Sequence, residues 1–258
     1  MKRTKYTFID LSVPLGNFAL EEPSPGSITY YDHRDSAKMQ ARKHGLRLED
    51  FPGGLGLAQE IVSASTHCGT HMDAPFHYGP VSEGKPAKTI DQIPLDWCFG
   101  NGVRLDFRNQ PRGAQITPDD IQRELNRIEY QLQPFDIVLI WTGAAKRNSP
   151  LEYWQRHPGV AREGTEWLVK HRIKVVGIDA YGWDNPSSCM LEDYHRGNSK
   201  ALWPSHFFGR EREYCHIEKL ANLEKLPSPT GFKIAVFPVL IERGSAGWCR
   251  AVAIIEEV

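Results

Sequence analysis

The sequence lacks several features that would mark particular classes of protein. No apolar run approaches about 18 residues, which argues against a membrane-spanning helix. Neither charge sign dominates, because 31 Lys and Arg face 32 Asp and Glu, so a broad surface for nucleic acid is not expected. The five cysteines are spread widely without CxxC spacing, which favours reduced thiols in a cytoplasmic protein. The partner class that remains is a small molecule.

The chain also lacks repeats, low-complexity tracts and a convincing linker. Its opening, MKRTKYTFIDLSVPL, is basic at the start but has no continuous apolar core or small-residue cleavage site, so we expect no secretory signal. A length of 258 residues can bury a large core. We therefore interpret residues 1–258 as a single domain.

Apolar patterning predicts strands that alternate with helices in the middle of the chain. Continuous apolar runs at 136–143 and 173–180 are typical of buried strands. Thr117 followed by Pro118 predicts the start of a helix. Further strands are predicted at 6–12, 58–65, 101–107, 232–240 and 249–255, helices at 34–45 and 162–171, and irregular segments at 13–32 and 181–205. This order predicts an α/β fold with a mixed sheet.

Three histidines and one aspartate fall within eleven residues of the stretch STHCGTHMDAPFHYG. They are His67, His71, Asp73 and His77. An extended chain from His67 to Asp73 would span about 20 Å, too far for ligands of one ion. A helix would align His67 with His71 but turn Asp73 away. The chain must therefore curl, and Gly69 and Pro75 supply bending points.

The residue types of this cluster suit a divalent metal ion. Two imidazoles and a carboxylate bind Zn²⁺, Mn²⁺ or Fe²⁺ and leave coordination positions for water. The alternative is a solvated polar loop. Three histidines and an aspartate around a Gly-Thr turn favour the metal site.

The pattern H-x-G-T-H-x-D-A-P-x-H resembles the signature of the cyclase family of metal-dependent hydrolases. That family includes bacterial kynurenine formamidases, isatin hydrolase and polyketide cyclases. Every fixed position of the pattern is present between residues 67 and 77, and FIDLSVPL at 8–15 is similar to the family's opening Asp-Leu-Ser-x-x-Leu element. The resemblance implies an α/β domain of the swivelling β/β/α type.

The resemblance also implies a set of metal ligands. A first ion would bind His67, His71 and Asp73. The family's second group, a histidine followed twelve residues later by a glutamate, matches His206 and Glu218. Asp73 could bridge the two positions, and one or two ions of Zn²⁺ or Mn²⁺ per chain are implied.

The histidine of the second ligand group has alternatives, and the spacing of this group requires a break in the chain. His216 and His195 are alternatives to His206. A continuous helix from His206 to Glu218 would rise about 18 Å, which is too far for one site. A break is needed between them, and Gly209 could provide it.

His77 follows the ligand set and matches the family's acid/base histidine. A histidine with a pKa near neutrality can take a proton from water and return it to the leaving group. The alternative role for His77 is a third protein ligand to the metal. Thr70 could donate to an oxyanion or hold the loop in place.

Aromatic residues after the strand at 173–180 are candidates for substrate binding. Tyr181, Trp183 and Phe207, with Trp203 nearby, offer flat apolar faces to an aromatic ring. Binding loops in open α/β sheets tend to follow such strands. The alternative is packing in the domain or at a subunit interface.

Three functions fit these residues. The leading hypothesis is hydrolysis of an amide, formamide or lactam of an aromatic or cyclic small molecule, similar to kynurenine formamidase. The second is a cyclase, dehydratase or lactone hydrolase for a polyketide-like substrate, and the third is a metal-storing or ligand-binding module without catalysis. The resemblance further implies a homo-oligomer, either a dimer or a tetramer.

Overall fold

A computed structural model describes residues 5–16, 26–146 and 149–257. Its strands, labelled β1 to β15 in chain order, are Lys5–Asp10, Ser27–Tyr31, Gln59–Ser63, His71–Asp73, Val81–Ser82, Lys85–Pro86, Phe99–Asp106, Gln115–Ile116, Ile137–Trp141, Gly159–Val160, Val175–Ile178, Cys215–Glu218, Phe232–Ala235, Ala246–Trp248 and Val252–Glu257. Its α-helices, α1 to α7, are His33–His44, Pro75–Tyr78, Pro118–Arg127, Pro150–Gln155, Arg162–Lys170, Ser187–His195 and Pro204–Phe208. Short 3₁₀ turns lie at Leu48–Asp50, Pro52–Gly54, Ile90–Gln92, Leu95–Trp97, Ala144–Lys146 and Leu223–Lys225. Across these ranges, no helix has the length and apolar character needed to cross a bilayer.

Nine of the described strands form one mixed sheet. Their order is β1-β15-β13-β7-β9-β11-β12-β4-β14. The four strands β7, β9, β11 and β12 run parallel to their neighbours in this group, while β13 and β4 pair antiparallel on its two sides. The predicted α/β class with a mixed sheet is confirmed. Helix α3 begins as predicted, with the Thr117 hydroxyl accepting from the backbone N–H of Asp120.

The central strands bury both of their faces, which explains their continuous apolar sequences. On β9, Ile137, Leu139 and Trp141 pack in one core cluster. Val138 and Ile140 pack in a second cluster. Because side chains alternate along a strand, these two cores lie on opposite faces of the sheet.

The same alternation selects the side chains that β4 and β12 present to the second face. Met72 of β4 and Ile217 of β12 are cross-strand neighbours and pack in the first core. Their neighbours along each strand point the other way. These are His71, Asp73, His216 and Glu218, of which His216 pairs with Asp73 and Glu218 with His71.

Four predicted segments differ from the structure. The predicted loop 13–32 contains β2, although its residues 17–25 lie outside the described ranges, and the segment 181–205 contains α6. The strand predicted at 58–65 pairs with β2 in a separate hairpin, not with the main sheet. The prediction at 249–255 missed β14, because its Ala-Gly-Trp sequence lacks the β-branched residues that mark a strand.

Truncation of Leu139 to Ala should test how much the packing of the central strand contributes to stability. Leu139 is fully buried, so we expect the free energy of unfolding to fall by about 2–5 kcal/mol through lost transfer energy and the cavity left behind. Denaturant titration measures this change. Leu191, which is 46% exposed on α6, provides the control, and its alanine variant should change stability by no more than about 0.5 kcal/mol. Equal effects at the two positions would contradict this account of the core.

Candidate metal centre

The chain curls immediately before β4. Gly69 has a φ of +63°, a left-handed conformation that favours glycine. The turn brings the carbonyl of Gly69 to the ring of His71, whose Nδ1–H donates to it at 2.8 Å. His67 therefore returns toward His71 instead of continuing away along an extended strand, and the ring centroids of the two histidines are 5.1 Å apart.

The carboxylate of Asp73 lies at the centre of the histidine cluster. Its Oδ1 is 2.8 Å from His67 Nδ1 and 3.3 Å from His71 Nε2. Its Oδ2 is 2.6 Å from His216 Nε2 and 3.8 Å from His77 Nε2. Asp73 and His71 are completely buried, while the side chain of His77 is 33% exposed. The cluster thus runs from the protein interior to its surface.

Glu218 supplies a second carboxylate to the same space. Its Oε2 is 3.7 Å from His71 Nε2, and its Oε1 is 3.3 Å from His216 Nε2 and 3.8 Å from His206 Nε2. The backbone N–H of Trp183 donates to Oε1 at 2.9 Å. Helix α7 ends at Phe208 with Gly209 as its C-cap, and the chain returns through β12, so the break expected between His206 and Glu218 is present.

Two overlapping groups place nitrogen and oxygen atoms at distances suited to a divalent ion. Within each group the candidate ligand atoms lie within 4.8 Å of one another. The groups are His67, Asp73 and His77, and Asp73, His206, His216 and Glu218. Across the described ranges, the buried Nε2 of His71 has no hydrogen-bond partner, although it faces both carboxylates. An orphaned imidazole nitrogen beside carboxylates fits a metal ion.

The electrostatics of the cluster favour positive charge. Burial alone would raise the pKa of Asp73, but the imidazoles of His71 and His216 hold it well below its usual range. Burial likewise opposes ionisation of Glu218, whose pKa is nevertheless lowered by His216. Burial would lower the pKa of His206, but the hydrogen bond and charge of Asp184 raise it to about 9. Two ionised carboxylates therefore face the same space, and a cation bound there would neutralise their charges.

His77 differs from its neighbours in its protonation. Burial lowers the pKa of His77 to about 4 despite the opposing attraction of Asp73. Its ring centroid lies 4.1 Å from that of His67 and 5.5 Å from that of His206. His77 is thus a neutral imidazole at the exposed edge of the cluster, and its pKa lies below the near-neutral value expected of an acid/base histidine.

Thr70 holds the loop that carries His67 against the end of β12. Its hydroxyl donates to the carbonyl of Lys219 at 2.7 Å and accepts from the backbone N–H of Val13. The ammonium group of Lys219 donates in turn to the carbonyl of His67 at 2.6 Å. Of the two roles considered for Thr70, loop positioning accounts for both of these hydrogen bonds.

A cavity of about 390 Å³ opens beside the cluster. Its aromatic walls are Trp154, Tyr181 and Trp203, and its lining reaches His206 and Glu218. A volume in this range suits a small ligand, and flat aromatic walls suit an aromatic ring. The cavity therefore adjoins the candidate ligands directly.

The predicted aromatic contacts have different positions. Tyr181 lines the cavity, and its contact with substrate stays a prediction. Trp183 is completely buried and its indole N–H donates to Thr165, so the expectation that its ring faces a ligand disagrees with the structure. Its backbone instead holds Glu218. Phe207 is 41% exposed beneath the guanidinium of Arg210 and does not line this cavity, so its contact with substrate stays a prediction.

The two histidines considered as alternatives to His206 occupy different positions. His216 lies inside the cluster, although the spacing rule of the second group does not include it. His195 is exposed near the end of α6 and belongs to neither group of candidate ligands. The alternation of β12 could have indicated His216, because it lies two residues before Glu218 and must share its face.

Sequence reasoning also missed three residues around the centre. Trp154 lines the cavity, Lys219 holds the loop, and Asp184 accepts a hydrogen bond from His206 at 2.6 Å. Asp184 could have been suspected, because a carboxylate after a buried parallel strand lies at the edge where such sheets place ligands. Trp154 and Lys219 carry no comparable sequence signal.

Comparison with known proteins yields one family. The Cyclase family model, described as "Putative cyclase", matches residues 9–185. Cyclase-like protein 1 of Oryza sativa subsp. japonica is 33% identical over 173 residues, which span 62% of this chain and only 59% of that protein. A kynurenine formamidase of Erythrobacter litoralis (strain HTCC2594) is 26% identical over 194 residues, or 74% of each chain. The predicted family resemblance is confirmed.

A solved structure supports the fold independently. Isatin hydrolase A from Ralstonia solanacearum matches with a TM-score of 0.76 over 97% of this chain and 92% of that chain. The identity is 22%, so the likeness concerns the fold. The α/β fold predicted from the family resemblance is therefore confirmed, and the enzymes among the relatives support the prediction of an enzyme.

Divalent metal should stabilise the protein through these residues. We expect Zn²⁺ or Mn²⁺ to raise the Tm of chelator-treated protein, because an ion that binds only the folded state adds about 2.7 kcal/mol at a hundredfold excess over its Kd. The substitution Asp73→Asn should abolish the metal-dependent shift, which differential scanning fluorimetry measures. Asp136 is also buried and accepts three hydrogen bonds, from Asn101, Tyr130 and Gln133, but lies in neither ligand group. Asp136→Asn should retain the shift; an unchanged shift in Asp73→Asn would place the ion elsewhere.

Proposed function

The chain belongs to the cyclase family, and from that premise we propose that it is a metal-dependent hydrolase of a carbon–nitrogen bond. Its substrate class is an amide, formamide or lactam of an aromatic or cyclic small molecule. The observation that carries the proposal is the gathering of ligand atoms around the buried carboxylate of Asp73. His67 and His71 lie within 3.3 Å of its Oδ1, and Asp73, His206 and Glu218 belong to one group whose ligand atoms lie within 4.8 Å of one another. The similarity to kynurenine formamidase over three quarters of the chain supports the bond type.

The metal would be Zn²⁺ or Mn²⁺, held by nitrogen and oxygen ligands. His67, His71 and Asp73 would hold one ion, and Asp73 would share a second with His206 and Glu218. Such an ion supplies Lewis-acid chemistry, making hydroxide available near neutral pH and polarising the carbonyl that is attacked. The buried carboxylates of Asp73 and Glu218 would fix the position of such an ion before substrate binds.

His77 is assigned the proton transfers. Its neutral ring lies at the exposed edge of the cluster and borders both His67 and His206. From there Nε2 can take a proton from the attacking water and return it to the leaving nitrogen. A third-ligand role would instead place a cation between His67, Asp73 and His77, whose atoms are also close enough. Metal content distinguishes these two roles.

The cavity beside His206 and Glu218 is assigned to the substrate. Trp154, Tyr181 and Trp203 would stack against its ring, and the scissile carbonyl would point inward to the metal. A polyketide-like lactone would use the same metal and His77, so substrate tests must include it. A homo-oligomer stays a prediction that light scattering can measure.

Removal of His77 should separate catalysis from metal binding. We expect His77→Ala to retain its metal content while kcat falls by about 10²- to 10⁴-fold, the range for loss of a general acid/base. Metal analysis and steady-state kinetics with an aryl formamide, an isatin-type lactam and an aryl lactone measure both quantities. His195→Ala, on the exposed rival histidine, should behave as the parent. Turnover at the parental rate in His77→Ala would contradict the assignment, and loss of metal would favour the ligand role.

Truncation of Trp203 should weaken substrate binding selectively. Trp203 lines the cavity but is 42% exposed, so its loss removes a contact face at little cost to folding. We expect Trp203→Ala to raise KM about tenfold with little change in kcat, the size of one aromatic contact of about 1.4 kcal/mol. Phe237 is 49% exposed and outside this cavity, so Phe237→Ala is the control. A parental KM in Trp203→Ala would place the substrate in another cavity.

A further inference from the structure

One buried carboxylate holds both the backbone and the ring of His206. Asp184 is 3% exposed and follows β11 in the loop that leads to α6. Its Oδ1 accepts from the backbone N–H of Ser205 at 2.9 Å, and its Oδ2 accepts from that of His206 at 3.0 Å. The same Oδ2 lies 2.6 Å from His206 Nδ1. All three partners belong to α7, so Asp184 fixes this short helix and its histidine together.

The contact determines which ring nitrogen of His206 remains available. A carboxylate can only accept, so Nδ1 must carry the proton that it shares with Asp184. Nε2 then faces Glu218 Oε1 at 3.8 Å, inside the group of candidate ligands. A metal-binding histidine characteristically presents one nitrogen to the ion while a carboxylate or carbonyl orients the other. His206 already has this arrangement.

His216, the neighbouring histidine, lacks an orienting partner of this kind. The nitrogen of His216 that faces the candidate ligands is Nε2, which is 2.6 Å from Asp73 Oδ2 and 3.3 Å from Glu218 Oε1. Its buried Nδ1 has no hydrogen-bond partner anywhere in the described ranges. No orienting group therefore prepares His216 in the way that Asp184 prepares His206.

We infer that Asp184 is a positioning residue that selects His206, and not His216, as the histidine ligand of the second ion. The inference rests on the proposed metal site, but not on the identity of the substrate. Asp184 acts through His206 by fixing its tautomer and its direction. Loss of an orienting partner of this kind characteristically weakens metal affinity by about 10- to 100-fold.

A purely structural role for Asp184 makes a different prediction. If it served only to hold α7, its replacement would lower Tm without changing the metal Kd of the folded protein. Asp136 provides the matched comparison, because it is equally buried and also accepts three hydrogen bonds without touching a candidate ligand. The isosteric substitutions Asp184→Asn and Asp136→Asn each remove one buried charge.

The test is a titration of the chelator-treated full chain with Zn²⁺, followed by calorimetry and metal analysis. We expect Asp184→Asn to raise the Kd of one Zn²⁺ by about 10- to 100-fold, while Asp136→Asn stays within about twofold of the parent. His206→Gln should reproduce the effect, and His216→Gln should retain more affinity than His206→Gln. Parental Zn²⁺ affinity in folded Asp184→Asn, or a greater loss in His216→Gln, would overturn the inference.

A measurement on the unaltered chain covers the case in which Asp184→Asn does not fold. Long-range ¹H–¹⁵N spectra of the imidazoles should show that Nδ1 of His206 carries a proton both before and after Zn²⁺ is added, and that its Nε2 resonance shifts when Zn²⁺ is added. A proton on Nε2 alone, or an Nε2 that does not respond to Zn²⁺, would overturn the inference. Absence of activity toward all tested substrates with normal Zn²⁺ binding would instead contradict the proposed function and leave the Asp184 assignment supported.

Discussion

The ionised carboxylate of Asp73 is completely buried, and the rest of the site is arranged around that charge. An unpaired charge in the interior would cost several kcal/mol, so it must be surrounded by partners. Imidazoles from two distant parts of the chain approach both of its oxygens. A divalent ion bound between Asp73 and Glu218 would compensate both of these buried negative charges.

Strand register is what brings the distant parts together. β4 and β12 are antiparallel neighbours, so His71 meets Glu218 and Asp73 meets His216 directly across the ladder. Met72 and Ile217 occupy the opposite face and pack in the apolar core. A slip of one residue would turn Met72 into the site and a carboxylate into the core. The cost of that exchange makes the hydrophobic pattern itself a determinant of where the candidate ligands lie.

The sequence permitted prediction where the relevant residues are close along the chain. His67, His71 and Asp73 lie in one short loop and strand, so their residue types and Gly69 were enough to predict a curled ligand set. That His216 meets Asp73 depends on pairing between β12 and β4, which no local pattern specifies. The sequence also identifies Trp183 as aromatic, but not that its ring packs inward while its backbone N–H holds Glu218. Residue types that are close along the chain could therefore be predicted to form a site, but the orientation of side chains from distant segments could not.

The candidate ligands are held by two separate sets of polar contacts. On one side, Thr70 and Lys219 tie the loop of His67 to the end of β12. On the other, Asp184 ties α7 and the ring of His206 to the loop after β11. Lys219 adopts a φ of +60°, a strained conformation for a residue other than glycine, and such strain persists where surrounding contacts over-determine the backbone. Both halves of the centre are thus positioned by groups outside the candidate ligand set, and an ion would meet a site whose ligand directions are already fixed.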